Sequence, residues 1–405
     1  MLRQISDFIL ICTITEIFMK YITRTILLLS LVSFLTDIAS EMLYPVMPMY
    51  LTSIGFSVVL IGVLEGFAEA ITGLSKGYFG YLSDSAGKRK PFIQSGYLLS
   101  AVSKPMMALM TYPIWIFFAR TIDRFGKGIR TGARDAMLSE ETAKEYKGRV
   151  FGFHRAFDTL GAALGPSLAL IFLIFYPGQY KALFLLAFIP GLFAVILTLR
   201  LKDKNQVSGS KVKSGFFTFL KYWKKSPQKY KLLTAGLLFF ALINSSDILL
   251  LLMLRHQGAN DQQVIGVYIF YNIVYAFMSF PMGMLGDKIG LKSAFIFGLT
   301  LFAVVYGGII FIRSIFGLAI LFFLYGVYAA STEGISKAWI SNIVEAEDTA
   351  TAVGFYTGMQ SICTLIASSL AGWLWYAFSP SVTFGISASG AVLTILYFNI
   401  AFRKH

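Results

Sequence analysis

Asp37 and Glu41 stand one helical turn apart in a stretch, Ile26 to Leu51, that holds no other charge. Glu65 and Glu69 repeat that spacing farther along the chain. Two carboxylates one turn apart in a low-dielectric setting cannot both ionise cheaply, so each pair is suited to taking up and releasing a proton. A basic run follows, in which Arg120, Asp123, Arg124, Lys127, Arg130, Arg134 and Asp135 occupy an arc of about 140° on a helix turning about 100° per residue. Such a stripe facing lipid would be prohibitive, so it faces a cavity or neighbouring helices. One reading is a positive lining that attracts an anionic group; the other is a set of ion pairs between helices. Lys104-Pro105 breaks another apolar stretch, where the lysine can cover freed carbonyls or pair with Asp123. His154, Arg155 and Asp158 complete the set, and the second half of the chain adds only Asp247, Glu333 and Lys337.

These residues sort into three roles. Asp37, Glu41, Glu65, Glu69, Asp123 and Asp158 are candidates for proton coupling. Arg120, Arg124, Lys104, Asp247 and Tyr271 are candidates for a substrate cavity, with further aromatic lining from Tyr44, Tyr268, Tyr275, Phe355 and Tyr356. Asp84, Lys88, Arg89, Asp287, Gly161, Gly165 and Pro166 are candidates for gating and close helix packing. No Ser/His/Asp set, phosphate-cradling loop or nucleotide site accompanies them, so the chain does not read as an enzyme or a nucleotide-driven pump. Three histidines form no cluster, and Cys12 and Cys363 sit far apart, so neither a metal site nor a disulfide framework is expected.

The elements that must position these groups are membrane helices. Hydrophobic residues make up 56% of 405, charged residues 14%, and mean hydropathy is +0.69. Apolar stretches at 26–51, 57–82, 92–111, 114–138, 150–175, 181–200, 232–254, 262–286, 293–312, 315–340, 350–376 and 381–402 are long enough to cross a ~30 Å hydrocarbon core. Helices are required because the bilayer offers the backbone no other partner. A strict hydropathy window should miss one or two of them. The net charge of +14 follows topology rather than a nucleic-acid partner: ten of 35 Lys and Arg residues fall at 200–231, while only Lys181, Arg255 and Arg313 fall in loops on the opposite side. That bias puts both termini in the cytoplasm.

The chain is built twice. Gly80-Tyr81-Leu82-Ser83-Asp84 returns as Gly283-Met284-Leu285-Gly286-Asp287, and Ile61-Gly62-Val63 precedes the first copy as Ile265-Gly266-Val267 precedes the second. Asp37-Ile38 aligns with Asp247-Ile248, and Gly152-Phe153 with Gly354-Phe355. The domain reading is an extension at 1–20 (with Met19 an alternative start), a six-helix lobe at 21–200, a basic linker at 201–231 and a second six-helix lobe at 232–405. In the linker Phe216, Phe217, Phe219, Leu220, Tyr222 and Trp223 alternate with lysines, which suits a helix lying on anionic lipid.

From Tyr21 onward the chain resembles a major facilitator superfamily secondary transporter. Gly80 to Lys90 resembles that superfamily's loop 2–3 signature, with 283–290 as its degraded partner. Arg120 resembles its intramembrane arginine, and Gly161-Ala162-Ala163-Leu164-Gly165-Pro166 is similar to the glycine-proline motif of antiporters, with Leu168 and Ala169 in place of the trailing glycines. Asp37 to Glu41 and Asp123 to Arg130 resemble a bacterial drug- or metabolite-efflux-like subgroup. The resemblance implies an all-α membrane protein, twelve transmembrane helices in two lobes related by a pseudo-twofold axis, with Asp84 and the neighbouring Lys88, Arg89 and Lys90 as a gate. It implies a proton-coupled antiporter exporting small organic molecules by alternating access. The alternative is proton-coupled uptake of an anionic metabolite or metal chelate, for which the basic arc speaks. A transporter-like sensor that moves nothing is the third reading. No cofactor is expected beyond a proton gradient; Asp37, Thr36 and Ser40 would suit sodium as well. The expected setting is a bacterial cytoplasmic membrane, with the protein acting as a monomer on a small-molecule substrate.

Overall fold

The computed structural model describes residues 21–403 except 45, 48–49, 52–53, 56–57, 204–217, 246 and 260. Every regular element among the described residues is helical. The N-terminal lobe comprises α1 (Arg24–Glu41), α2 (Val58–Ala86), α3 (Lys90–Leu109), α4 (Pro113–Glu140), α5 (Lys147–Phe175) and α6 (Tyr180–Thr198). A linker carrying the one-turn α7 (Tyr222–Lys225) leads to the second lobe. That lobe contains α8 (Gln228–Ala241), α9 (Asp247–His256), α10 (Asp261–Ile289), α11 (Leu291–Phe311), α12 (Ile315–Ile343), α13 (Thr349–Ala377) and α14 (Pro380–Ala401). Helices α8 and α9 are one span broken in the middle, so each lobe has six spans. The fold is that of an all-α membrane protein with two six-helix lobes.

Helices α2, α5, α10, α12 and α13 are each 29 residues long. At a 1.5 Å rise that is about 43 Å, well beyond the ~30 Å hydrocarbon core, so their ends project past it. Large apolar side chains such as Phe175, Trp373, Tyr376 and Ile400 are exposed around the outside, as lipid contact demands. Only six helices among the described residues pass a strict hydropathy window, fewer than the sequence suggested. The cause is polarity turned inward: α4 carries the charged stripe, and the α8–α9 break leaves two pieces too short to qualify.

The first span of each lobe departs from a continuous rod. Helix α1 ends at Glu41, and the chain turns through Met42–Tyr44 before its next helical residues. Helix α8 ends at Ala241; the carbonyl of Ile243 accepts from Ser387 Oγ at 3.1 Å and Asn244 Nδ2 donates to Tyr328 Oη at 2.9 Å, so polar groups freed by the break find partners on other spans. Asp247 then opens α9, where a carboxylate suits the positive end of the helix dipole.

The two lobes meet along two seams, α2 against α13 and α5 against α10. The cores behind them differ. In the first lobe the buried apolar residues form two clusters, one with Ile38, Met107, Ile116 and Leu183, the other with Val32, Tyr97, Met137 and Ala194. On α3 and α4 the boundary between them holds Lys104, Arg120 and Asp123. The second lobe has one continuous cluster, heavily aromatic, from Phe219 to Phe398.

The described part of the linker corrects the expectation of a helix on lipid. Phe219 is fully buried, Tyr222 is buried, and Trp223 stacks on Phe355 of α13 at 5.7 Å. These rings find a better apolar surface in the protein than in the interface. Phe216 and Phe217 lie outside the described residues. The linker end of the bundle is called the linker face below.

Candidate functional site

A cavity of ≈ 320 Å³ lies between the lobes. The first lobe lines it with Asp37 and Glu41 of α1, Lys76 of α2, Lys127, Arg130 and Arg134 of α4, and Arg155 and Asp158 of α5. The second lobe contributes Asp247 of α9, Tyr271, Asn272 and Tyr275 of α10, Glu333 and Lys337 of α12, and Thr357 and Gln360 of α13. Charged groups dominate the first wall and polar side chains the second, which in a membrane bundle marks a passage rather than a packed core.

Asp37 makes no hydrogen bond or ion pair with any described residue, although Asp158, Lys127, Glu41 and Arg130 all act on it electrostatically. Its carboxylate is open to the cavity. Glu41 lines the same wall. Asp158 is more occupied: Ser33 Oγ donates to it, Arg155 Nη1 lies 3.3 Å away and His154 Nδ1 3.7 Å away. Asp123 is sealed, with Lys104 Nζ at 2.7 Å and Arg120 Nη1 at 3.6 Å; Lys104 also donates to Ser40 Oγ at 3.2 Å. Lys104, Arg120 and Arg124 therefore do not line the main cavity. Arg120, Asp123 and Arg124 border a void of ≈ 10 Å³ that shares Asp37, Glu41, Lys127 and Arg130 with it. The side chains of Glu65 and Glu69 lie outside the described residues.

On the opposite wall Asp247 accepts hydrogen bonds from Tyr271 and Tyr325, each at 2.5 Å. Tyr271 and Tyr275 line the cavity, as the sequence suggested. Tyr44 borders the small void, and Tyr356 a side chamber of ≈ 70 Å³ in the second lobe. Phe355 faces the linker instead.

Along the cavity wall a chain of polar contacts crosses between the lobes and has both ends on α12. Asp135 pairs with Arg134, Arg134 donates to Ser33 and Ser33 donates to Asp158. Asp158 pairs with Arg155, and Arg155 with Glu333. Lys337, one turn from Glu333, returns to Asp135 at 2.8 Å. The buried charges among them, Asp135, Arg134 and Asp158, are tolerated because each is paired this closely. The sequence picked out these charges singly but not the chain they form. Its only trace was the Glu333–Lys337 spacing on one helix, since nothing local says which helix lies opposite.

The linker face is sealed by the duplicated motif. Asp84, near the end of α2, accepts from the backbone N–H of Ala350 at 3.3 Å and of Thr351 at 2.6 Å, and from Thr351 Oγ1 at 2.5 Å. Asp287, near the end of α10, accepts from the N–H of Gly148 at 2.9 Å and Arg149 at 3.0 Å. Each aspartate thus takes up orphan amides in the first turn of a helix from the other lobe. Gly80 and Gly283 permit the approach, because a Cβ there would overlap the carbonyl oxygens of Ala350 and Gly148. Arg89 holds Asp84 at 2.5 Å and Glu140 at 2.8 Å, while Lys88 is exposed and outside this cluster. Lys147 Nζ adds a bond to the Ser341 carbonyl at 2.7 Å. Gly161 and Gly165 act elsewhere, bringing α5 against α1: a Cβ on either would crowd Phe34, Ile38 and Met42 backbone atoms. Pro166 follows within α5.

The sequence profile of the Major Facilitator Superfamily matches residues 29–271 and 247–404. An uncharacterised MFS-type transporter of Methanocaldococcus jannaschii is 35% identical over 383 residues, covering 93% of this chain and 94% of its own. The multidrug resistance efflux pump PmrA of Streptococcus pneumoniae is 24% identical over 376 residues, 85% of this chain and 88% of that one. The human organic anion transporter MFSD10 has a similar fold, with a TM-score of 0.75 at 15% identity over 93% of this chain and 99% of that one.

Proposed function

This chain belongs to the Major Facilitator Superfamily, and on that premise we propose that it is a proton-coupled antiporter exporting small organic molecules by alternating access. It is a membrane transporter and not an enzyme. The observation that carries the finer reading is the contrast between a sealed linker face and a charged cavity holding an acid, Asp37, with no hydrogen-bond or ion-pair partner among the described residues. A carboxylate so placed exchanges a proton for cargo when the cavity changes the side it faces. The linker face is taken as cytoplasmic, since the basic residues gather there. The protein then works as a monomer in the cytoplasmic membrane, driven by the proton gradient with no bound cofactor.

The uptake reading draws on one observation: Lys127 and Arg130 face the cavity without an acid at ion-pair distance among the described residues. Such cations suit an anionic cargo. A metabolite and toxin screen of a knockout against an overproducing strain supplies the cargo. Inverted vesicles with an acidic interior then decide direction. Antiport accumulates that cargo and alkalinises the interior. Symport instead drains preloaded cargo together with protons, which would sink the export reading; a matching sodium gradient identifies the ion.

A further inference from the structure

We propose that the linker segment from Thr218 to Lys225 is a strap that holds the linker face shut, with Phe219 as its latch. The inference rests on the alternating-access reading above and adds an element that the duplicated motif does not contain. Phe219 has no exposed surface, and its ring occupies the place a side chain at Gly77 of α2 would need; a Cβ on Gly77 would overlap it. On its other side the ring meets Phe355 of α13 edge-on at 6.4 Å. Trp223 stacks on the same Phe355, and Tyr222 packs edge-on against Tyr230, whose hydroxyl donates to the Ala352 carbonyl at 2.8 Å.

The strap therefore lies across the seam that Asp84 closes. Gly77 is two turns before Asp84 on α2, and on α13 Ala352 directly follows Thr351 with Phe355 about one turn beyond it. When α2 and α13 part at this face, a ring in contact with both must leave at least one of them. Burial of an aromatic ring is favourable and non-directional, so it stabilises the closed arrangement without a matching contact in the open one. Glycine at position 77 provides the seat, and the long linker ties the seat to both lobes. The second seam, α5 against α10, has no such strap among the described residues, because the chain passes only once between the lobes.

The test uses the full chain in lipid nanodiscs, with Cys12 and Cys363 replaced by serine. Spin labels go on Ser95→Cys and Glu347→Cys, exposed positions on the two sides of this seam. Distance distributions are compared for the parent, Phe219→Ala, Gly77→Ala and Phe219→Leu, with monodispersity and melting temperature measured on each. Phe219→Ala should raise the ratio of long to short distances on the order of tenfold. Gly77→Ala should move it the same way by displacing the ring, and Phe219→Leu should stay near the parent. Unchanged distributions in both Phe219→Ala and Gly77→Ala overturn the strap. Asp84→Asn serves as the arm that separates the two failures: if it widens the distances while the strap variants do not, only the strap falls. If it too leaves them unchanged, the alternating reading of this face falls with the strap.

Discussion

Asp37 and Asp247 both reach the cavity from the first span of their lobes, yet their surroundings differ. Asp37 looks into the cavity with no hydrogen-bond partner among the described residues, beside Lys127 and Arg130. Asp247 is held by two tyrosine hydroxyls at 2.5 Å each. The same asymmetry runs through both lobes. The first has a layer of charge between two apolar clusters; the second has one aromatic core. The two halves share a repeated motif and a six-span plan, and they differ in what is placed inside them. A bilayer makes ionised groups costly, so on the proposed reading concentrating them in one lobe leaves the other to shape the wall a substrate would meet.

The largest expected effect breaks this comparison at its strongest point. Asp37→Asn should lower gradient-driven flux by about a hundredfold or more while the protein still inserts and folds, because an amide fills the same space but carries no exchangeable acid. Flux in proteoliposomes, normalised to reconstituted protein, checks it. Retained gradient-driven flux removes Asp37 as the coupling site.

The charge layer is tested by stability rather than flux. Lys104→Met leaves Asp123 without its 2.7 Å partner in a site where both side chains are almost fully buried. Removing one member of such a pair costs ~3–5 kcal/mol, whereas replacing both with apolar residues is often neutral. Thermal unfolding of Lys104→Met, Asp123→Leu and the double variant measures this. A double variant no more stable than either single one would falsify the view that this pair is structural.

How much of this was legible in the sequence follows the same divide between local and distant. The duplicated Gly80–Asp84 and Gly283–Asp287 segments announced two lobes and two seals, because a motif is local and its helix cap depends on a few neighbouring residues. The basic stripe on α4 also announced that it must face inward. Its division was hidden, however. Asp123 turns to Lys104 and holds Arg120 beside it, Arg130 turns to Ser100 and the Tyr97 ring, and Asp135 to Lys337 across the lobes. Each choice depends on which helix packs alongside, and helical periodicity is silent on that. The linker was misread for a related reason: alternating rings and lysines suit lipid, but also suit a strap over an apolar seam, and composition cannot tell one apolar surface from another.

The two seals offer a finer comparison. Asp84 gathers two backbone amides, the Thr351 hydroxyl and Arg89, while Asp287 gathers two amides and Arg149. Losing a helix cap costs about 0.5–2 kcal/mol, so Asp84→Asn and Asp287→Asn should each open the linker face by up to about thirtyfold in population. The Asp84 change should be the larger by virtue of the extra hydroxyl. Cysteine accessibility at the two seams, measured in the same membranes, ranks them; equal effects would mean that Thr351 adds nothing.

Asp247→Asn should have the smallest effect and is the sharpest check on the asymmetry. The amide keeps an oxygen for one tyrosine hydroxyl and offers N–H to the oxygen of the other, so the tie to Tyr271 and Tyr325 can be rebuilt with the polarity of one bond reversed. The wall should keep its shape and lose a charge that the proposed coupling step does not use. Flux should stay within about threefold of the parent, with a change in apparent KM rather than in maximal rate, since what is altered is a surface the cargo touches. If Asp247→Asn instead abolishes gradient-driven flux as Asp37→Asn does, the two acids act as a matched pair across the cavity, and the lobes have not divided the work.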